Sequence, residues 1–376
     1  MKPYIVYWNN IPAPYMVERF NALADRQDFD IEAWFNDRSE SDRSWIVDES
    51  SWRFRYRYLP TINIGRHRLH LPTPVLGKRP DVLVSLYAEP SFLIGWAVAK
   101  LRGAKTAFWC QVTNDRWVKR RTWKEALKRL IFPKVDATLG SGKESQAFAM
   151  RYGVPEEKAL CLRHSIDVNH YASGREKYFQ DRAHIRNNLR IQGTVFIYVG
   201  RLWSGKGVDY LLKAFDKVQK MSGEEVSLLL VGDGLQEAEL QRFCVERGIR
   251  NVIFTGFQQK PELPRYYAAA DVFVFPTLGD PYGLVIDEAM ASSLPIISTS
   301  AAGEIGDRID EGANGYIIPP GDSEALADRM LRLVNNQHLC QIMGKVSAEK
   351  IKGHTPEQWA KDFETIIYAL LDEQSF

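Results

Sequence analysis

Thr277-Leu278-Gly279-Asp280-Pro281-Tyr282-Gly283-Leu284-Val285-Ile286-Asp287-Glu288-Ala289-Met290-Ala291 is the stretch on which the fold turns. Upstream runs Asp271-Val272-Phe273-Val274-Phe275-Pro276, a short β-branched and aromatic segment that reads as a buried parallel strand. Downstream, Leu294-Pro295-Ile296-Ile297-Ser298-Thr299 reads the same way. Between them, Gly283 to Ala291 carries helix formers and an apolar face. A helix that begins where a strand ends presents unpaired backbone N–H groups, here those of Tyr282, Gly283 and Leu284, with the positive end of its dipole behind them. Gly283 lets a ligand approach the backbone closely. Asp280 precedes the helix and Glu288 lies on its second turn, so both can face one ligand. A diphosphate flanked by hydroxyl-rich groups would use all of these parts. A helix glutamate alone is more often solvated or paired, so the neighbouring segments have to decide.

At 376 residues the chain exceeds what a single core usually supports, which predicts two domains. Its 45% hydrophobic and 26% charged residues are ordinary for a soluble globular protein. Four scattered cysteines, Cys110, Cys161, Cys244 and Cys340, form no CxxC pair, which argues against a zinc site or a disulfide framework and for reduced thiols. The N-terminal Met1-Lys-Pro-Tyr-Ile-Val-Tyr-Trp8 is strand-like at once, without signal-peptide architecture. The longest apolar run, Phe92 to Ala99, is about half of the roughly 18 residues that a membrane span requires. The expected location is therefore the cytoplasm, with or without contact to the inner face of the membrane. Residues 1–170 hold 27 basic against 19 acidic residues, and residues 171–376 hold 22 against 28. A positive first half suits a phosphate-rich partner or an anionic membrane surface; no nucleic-acid motif accompanies it.

Short apolar strands alternate with helices along both halves, the signature of parallel sheets covered on both faces. The expected architecture is α/β, with two Rossmann-like doubly wound domains facing across a cleft. The predicted boundaries are an N-terminal domain at 1–180, a C-terminal domain at 181–355, and a final helix at 356–376 packing back on the first domain. The charged, Asn-rich segment Asp167–Gln192 reads as the interdomain linker region. In such sheets the ligand sits at the carboxyl ends of the strands.

The second domain opens with Tyr198-Val-Gly-Arg-Leu-Trp-Ser-Gly-Lys-Gly-Val-Asp209. Arg201 and Lys206 flank a glycine-rich turn ahead of a helix, which suits a diphosphate: Arg can bind it bidentately and Lys as a point charge. Taken alone, such a loop is more often a solvated strand-to-helix connection. Val231-Gly-Asp-Gly234 is a second close-approach turn, and alone it is simple turn chemistry.

Together, Val199-Gly-Arg-Leu…Lys206-Gly, Leu230-Val-Gly-Asp-Gly234, Phe254-Thr-Gly-Phe257, Asp271–Pro276 and Tyr282-Gly-Leu-Val…Glu288-Ala-Met resemble the retaining family-4 glycosyltransferases of the GT-B fold. Gly315 and Pro319-Pro-Gly-Asp322 continue the likeness, which covers the second domain almost completely. In the first domain it is weaker: Asn9-Asn-Ile-Pro-Ala-Pro-Tyr15 sits where the family has its phosphate and acceptor loop, and Leu162-Arg-His-Ser-Ile-Asp167 looks like the family segment before the linker.

The resemblance implies that Arg201 and Lys206 neutralise a leaving diphosphate, with Asp280 as the third catalytic group. Glu288, the second glutamate of the family's E-x7-E motif, would hold the ribose hydroxyls. Gly200, Gly232, Phe257, Leu284 and Val285 would line the nucleotide. Asp280, Pro281, Tyr282, Gly283 and Leu284 would face the donor sugar. Asn10, Pro12, Ala13, Gln111 and Asn114 would serve the acceptor side.

Four departures from the family pattern stand out. Asp280 replaces the usual Glu. Ser293 replaces a Gly, read here as a mild packing change. The N-terminal loop has Asn9, Asn10 and prolines instead of glycines. Cys110-Gln-Val-Thr-Asn-Asp115 has no His where many relatives place one near the donor sugar, leaving Gln111, Asn114 or Asp115 as alternatives.

No metal or other cofactor is expected, because two cations and a helix N-terminus can carry the diphosphate charge. Asp28-Phe-Asp30 spells DxD but leads into a strand far from this loop. His164 and His170 read as packed rather than catalytic. The basic amphipathic stretch from Arg116 to Phe132, with Trp123, Leu127, Leu130 and Ile131 on one side, serves equally as an anionic-membrane contact or as an ordinary domain helix.

The resemblance thus implies a retaining hexosyltransferase. It would move a sugar, first choice glucose-like from a UDP-sugar, to a saccharide or lipid-linked saccharide acceptor in polysaccharide biosynthesis. A nucleotide-sugar epimerase or a catalytically silent nucleotide-sugar-binding subunit is the alternative, and the retained Arg201, Lys206 and Glu288 argue against the silent one.

Overall fold

The computed structural model describes residues 2–39, 45, 48–65, 67–87, 89–111 and 122–372, without the side chains of Ile64, His67, Val75 and Thr122. It divides into two compact units: described residues up to Ile166 with those from His354 onward, and Asp167 to Gly353.

Unit 1 contains β1 (Tyr4–Asn9), α1 (Pro14–Arg26), β2 (Asp30–Phe35), β3 (Arg55–Tyr58), a hairpin of β4 (Thr61–Ile64) and β5 (His67–His70), α2 (Thr73–Gly77), β6 (Val82–Ser85), α3 (Pro90–Leu101), β7 (Lys105–Cys110), α4 (Thr122–Ile131), β8 (Ala137–Gly140), α5 (Lys143–Arg151) and β9 (Ala159–Cys161). Its seven-stranded sheet runs β3-β2-β1-β6-β7-β8-β9, parallel throughout. Ile5 lies opposite Ile31 on one side and Val82 on the other. Both faces of these strands are covered, so β6 (Val-Leu-Val-Ser) is buried at every position.

Unit 2 contains α6 (Val168–Phe179), α7 (Arg182–Leu189), β10 (Thr194–Val199), α8 (Val208–Met221), β11 (Val226–Val231), α9 (Glu237–Arg247), β12 (Val252–Phe254), α10 (Leu263–Ala269), β13 (Val272–Phe275), α11 (Leu284–Ala291), β14 (Ile296–Thr299), α12 (Ile305–Arg308), β15 (Gly315–Ile318), α13 (Ser323–Val334) and α14 (Gln337–Ile351). Its sheet runs β12-β11-β10-β13-β14-β15, again all parallel. Both sheets step outward from their first strand, then cross back and step the other way. That reversal puts a topological switch point beside β1 and beside β10.

The last helix, α15 (Pro356–Leu371), belongs to unit 1. Trp359, Phe363 and Ile367 enter the core of Ile5, Tyr7 and Phe20, with Trp359 and Phe363 stacked at 5.1 Å. Each such side chain removed from water contributes roughly 1.5–3 kcal/mol before chain entropy is counted.

The first boundary falls at Ile166/Asp167 rather than at 180/181. The segment expected to be an irregular linker is helical: Asp167 accepts from His170 N at 2.9 Å and so caps α6, and Tyr171 packs edge-on to Tyr267 of α10 at 5.9 Å. Arg182 and Arg186 of α7 pair with Asp271, at 2.5 and 2.6 Å. The many charges read as linker solvation are in part ion pairs and backbone hydrogen bonds to unit 2.

Candidate functional site

The loops that leave the carboxyl ends of β10 and β13, on the two sides of the unit 2 switch point, are stitched together. Leu278 N donates to Gly205 O at 2.9 Å, and Thr277 Oγ1 donates to the same carbonyl at 3.2 Å. From β14, Thr299 Oγ1 donates to Thr277 O at 2.6 Å. Across this seam Lys206 Nζ donates to Asp280 Oδ2, an ion pair whose side chains are 13% and 12% exposed. Asp280 Oδ1 accepts from Tyr282 N at 2.9 Å. The sequence leaves the Tyr282 amide open for a ligand; the structure spends it on Asp280, because a short carboxylate two residues upstream folds back on it as an Asx turn. Leu284 and Val285 are the first residues of α11, so their amides have no acceptor within the helix. Gly283 adopts φ +76°, and a Cβ there would lie 2.8 Å from Phe275 Cε1, so only glycine fits both demands. Phe275 is a shared floor: Lys206 Nζ is 5.4 Å from its ring centroid, and the Tyr198 ring stacks at 6.4 Å.

Arg308 of α12 fastens this loop from behind. Its guanidinium is buried, 4.0 Å over the Tyr282 ring, and donates to Gly283 O (3.1 Å), Gly303 O (2.8 Å) and Tyr282 O. It also donates to Asp287 Oδ1 at 3.2 Å, and Asp287 is fully buried on α11. A buried charge is tolerated only when paired, and these two pair through Nη1 and Oδ1, while Arg308 Nε and Asp287 Oδ2 have no hydrogen-bond partner among the described residues. Sequence reasoning missed Arg308. The available signal was Asp287 on a helix whose residues are apolar apart from it and Glu288.

Glu288 sits in the second turn of α11, where Tyr267 Oη donates to its Oε2 at 2.9 Å. Burial first, then the Glu288 charge, pushes the Tyr267 hydroxyl well above its ordinary range, so it remains a donor. The Tyr198 hydroxyl is likewise raised by burial and then by Asp280, and it donates to Arg201 O at 2.8 Å. The Arg201 guanidinium lies 5.8 Å from the Trp203 ring. Gly200 and Gly232 bring the β10 and β11 turns together: a Cβ on Gly232 would lie 2.0 Å from Gly200 O. Phe257 and Pro281 are half-buried in unit 2.

In unit 1 the expected acceptor residues are tied into the fold. Asn10 Oδ1 accepts from Asn36 Nδ2 at 3.2 Å, and its carbonyl accepts from Asn36 N and Asp37 N, both at 3.0 Å. Asn36 Oδ1 accepts from Trp8 Nε1 at 2.8 Å. Pro12 and Ala13 are buried at the start of α1. Gln111 follows β7 at its carboxyl end, half-buried, with its carboxamide 2.9 Å from His164 Nε2. Asn114 and Asp115 lie outside the described residues.

His170 is packed, its Nε2 3.2 Å from Lys260 O. Asp30 of the DxD is the first residue of β2, paired with Arg55 and Lys78. Of the amphipathic stretch, residues 116–121 lie outside the described residues. Along α4 the apolar side divides: Leu127 and Ile131 pack inward, whereas Trp123 and Leu130 are 58% and 59% exposed. Among the described residues no helix is long and apolar enough to cross a membrane.

Residues 193–336, which hold this whole seam, match the family described as glycosyl transferases group 1. Among curated proteins, the amylovoran biosynthesis glycosyltransferase AmsK of Erwinia amylovora is 27% identical over 315 residues, 79% of this chain and 74% of that protein. An uncharacterized glycosyltransferase of Methanocaldococcus jannaschii is 28% identical over 48% of this chain. The match spans 46% of that relative's length, and 29% of the sulfoquinovosyl transferase SQD2 of Arabidopsis thaliana. Among solved structures, HepE of Anabaena in complex with UDP superposes with a TM-score of 0.78 at 16% identity, over 98% of this chain and all of that one. The sucrose-phosphate synthase of Thermosynechococcus elongatus gives 0.76 at 20% identity, over 98% and 99%. These likenesses extend over both units and share their fold. The chain therefore has the GT-B fold of two Rossmann-like doubly wound domains, and the part of its second unit that holds the seam is similar to the glycosyl transferases group 1 family.

Proposed function

We propose that this protein is a retaining, metal-independent glycosyltransferase that moves a hexose, glucose-like by first choice, from a UDP-sugar to a saccharide or lipid-linked saccharide in polysaccharide biosynthesis. The observation that carries this reading is the Lys206–Asp280 pair at the β10/β13 switch point, placed beside the first amides of α11 and one helical turn from Glu288. Open α/β sheets bind ligands at that point. UDP is favoured because HepE was solved with UDP and with UDP-glucose, and the polysaccharide role because AmsK is named for amylovoran biosynthesis.

In this reading Arg201 and Lys206 offset the charge that grows on the departing diphosphate, and Leu284 N and Val285 N add helix-terminus donors. Glu288, steadied by Tyr267, accepts from the ribose hydroxyls. Asp280 holds Lys206 in place before the donor arrives and accepts from a sugar hydroxyl once Lys206 turns to the phosphate. The acceptor hydroxyl attacks the anomeric carbon of an oxocarbenium-like state from the leaving-group face, and the departing phosphate takes its proton. The protein positions the reactants and stabilises charge; a preorganised donor of this kind is worth on the order of 10²–10³ in kcat. The reaction is assigned to the cytoplasm. Trp123 and Leu130 on basic α4 then make a contact for an anionic leaflet.

Calorimetric titration with UDP, GDP and ADP tests the reading. Tight binding of one nucleotide, lost in both Arg201→Ala and Glu288→Ala, is expected. No binding of any of the three by the folded wild-type protein overturns it.

A further inference from the structure

Arg19 on α1 is fully buried, lying 5.0 Å over the Tyr15 ring and 5.6 Å over the Trp359 ring. Its Nε donates to Ser165 Oγ at 3.0 Å, and its Nη2 donates to Ser165 O at 2.9 Å. The same Nη2 lies 2.8 Å from Nδ1 of His164, which is 2% exposed and wedged edge-on against Trp109 (5.3 Å) and Tyr15 (6.2 Å). The other ring nitrogen, Nε2, meets the Gln111 carboxamide at 2.9 Å.

The direction of these bonds follows from chemistry. A guanidinium has donors and no acceptor, so His164 Nδ1 must carry the lone pair and accept. A cationic ring would point an N–H at the guanidinium and set like charges together. His164 is therefore neutral with its proton on Nε2, and that proton is donated to the Gln111 carboxamide. Only the amide oxygen can accept it. Gln111 Nε2 is set against His164 Nε2, an arrangement in which two N–H groups would meet, so the carboxamide is turned over: its oxygen accepts from His164 and its NH2 group faces away. Gln111 stands at the carboxyl end of β7, on the ligand-binding edge of the unit 1 sheet.

We infer that Arg19 and His164 form a one-way hydrogen-bond relay that fixes Gln111 as a donor to a sugar oxygen. Arg19 and His164 are positioning residues, and Gln111 is the group that touches the ligand. That the ligand is a sugar rests on the transferase reading; the direction of the relay does not. A carboxamide free to flip offers either polarity. A locked one favours a ligand that presents a lone pair, such as a sugar hydroxyl, and disfavours one that presents only a donor.

Two measurements on the full chain test this. Long-range ¹⁵N–¹H correlation on histidine-labelled protein, with the His164 signal assigned by its loss in His164→Leu, is expected to show a neutral ring protonated at Nε2 from about pH 6 to 8. In Arg19→Met the Nδ1–H form or the cation is expected to appear. An Nδ1–H ring in the wild-type protein overturns the relay. Sugar transfer from UDP-glucose is expected to fall about tenfold in Gln111→Leu and about a hundredfold in Gln111→Glu, which puts an acceptor where a donor is required, while UDP affinity stays within about twofold. Adding His164→Leu to Gln111→Leu is expected to cost little more, because the two act as one unit. Full activity of Gln111→Glu, or strictly additive losses, overturns the donor role even when UDP binds normally. A wild-type protein that binds no nucleotide overturns the transferase reading instead, and the sugar assignment falls with it whatever the tautomer.

Discussion

The carboxyl edges of the two sheets share a strand order and differ in chemistry. At the unit 2 edge a cation and a carboxylate face each other, Lys206 and Asp280, with the buried Arg308–Asp287 pair behind them. At the unit 1 edge the described residues include the neutral amides Asn9, Asn10, Asn36 and Gln111 beside one ion pair, Asp37 with Arg68, and the buried Arg19 lies against His164. Among the described residues, one topology thus offers a seat built on a buried cation–carboxylate pair and one rich in amides. A diphosphate matches the first, and hydroxyl groups match the second.

Breaking the buried pair is expected to have the largest effect. Arg308→Met leaves Asp287 charged and uncompensated and is expected to destabilise unit 2 by about 3–5 kcal/mol. The double variant Arg308→Met/Asp287→Leu is expected to regain most of that stability in urea unfolding. It is not expected to regain nucleotide affinity, because the carbonyls of Tyr282, Gly283 and Gly303 lose their common donor. A double variant that recovers both would reduce Arg308 to a packing role.

Next comes the charge that defines the unit 2 edge. Lys206→Ala is expected to weaken UDP binding by about 2–3 kcal/mol, since charge-assisted hydrogen bonds are roughly twice as strong as neutral ones. That loss is expected to shrink as salt is raised. The matched experiment in unit 1, Asn36→Ala, leaves the buried Trp8 Nε1 without its acceptor and is expected to cost about 1–3 kcal/mol of stability, with UDP affinity unchanged. If Asn36→Ala weakened UDP binding as much as Lys206→Ala, the division into a charged edge and an amide-rich one would fail.

The same contrast explains what the sequence disclosed. In unit 2 the site is made of contiguous loops: Gly200 to Lys206 and Asp280 to Glu288 each carry their chemistry within a few residues, so local pattern reads it. Strands such as Val252–Phe254 and the helix Leu263–Ala269 are legible for the same reason. In unit 1 the relay joins Arg19, Gln111 and His164, which lie far apart in the chain, and no local pattern contains all three. Arg308 was hidden likewise, since Asp287 hints at a cation without saying which, and only the fold brings Arg308 to it. The helices α6 and α7 were missed because what holds them is tertiary: Tyr171 of α6 packs on Tyr267, and Arg182 and Arg186 of α7 are answered by Asp271 and by backbone carbonyls.

The smallest predicted effect tests whether the end of α11 opposite the ligand is strained. Ser293 follows that helix with φ +55°, in the left-handed region where an L side chain costs about 1–2 kcal/mol. The sequence suggests a packing change at this position, whereas the structure places the cost in the backbone. The backbone cannot relax easily, because Ser293 O lies 2.1 Å from where a Cβ on Gly344 of α14 would stand. Ser293→Gly removes the strain, and the greater freedom of glycine in the unfolded chain returns part of the gain, roughly 0.5–1 kcal/mol. The net expectation is a stabilisation of about 0.5–1 kcal/mol, read as a rise of about 2 °C in the thermal midpoint of unit 2. UDP affinity is expected to stay the same, because the substitution leaves the other end of α11, with Gly283 and the Arg308 contacts, untouched. A lower midpoint would show that the Ser293 side chain contributes more contact energy than its backbone costs. A changed affinity would show that the two ends of α11 move as one body, extending the charged edge of unit 2 through the helix to α14.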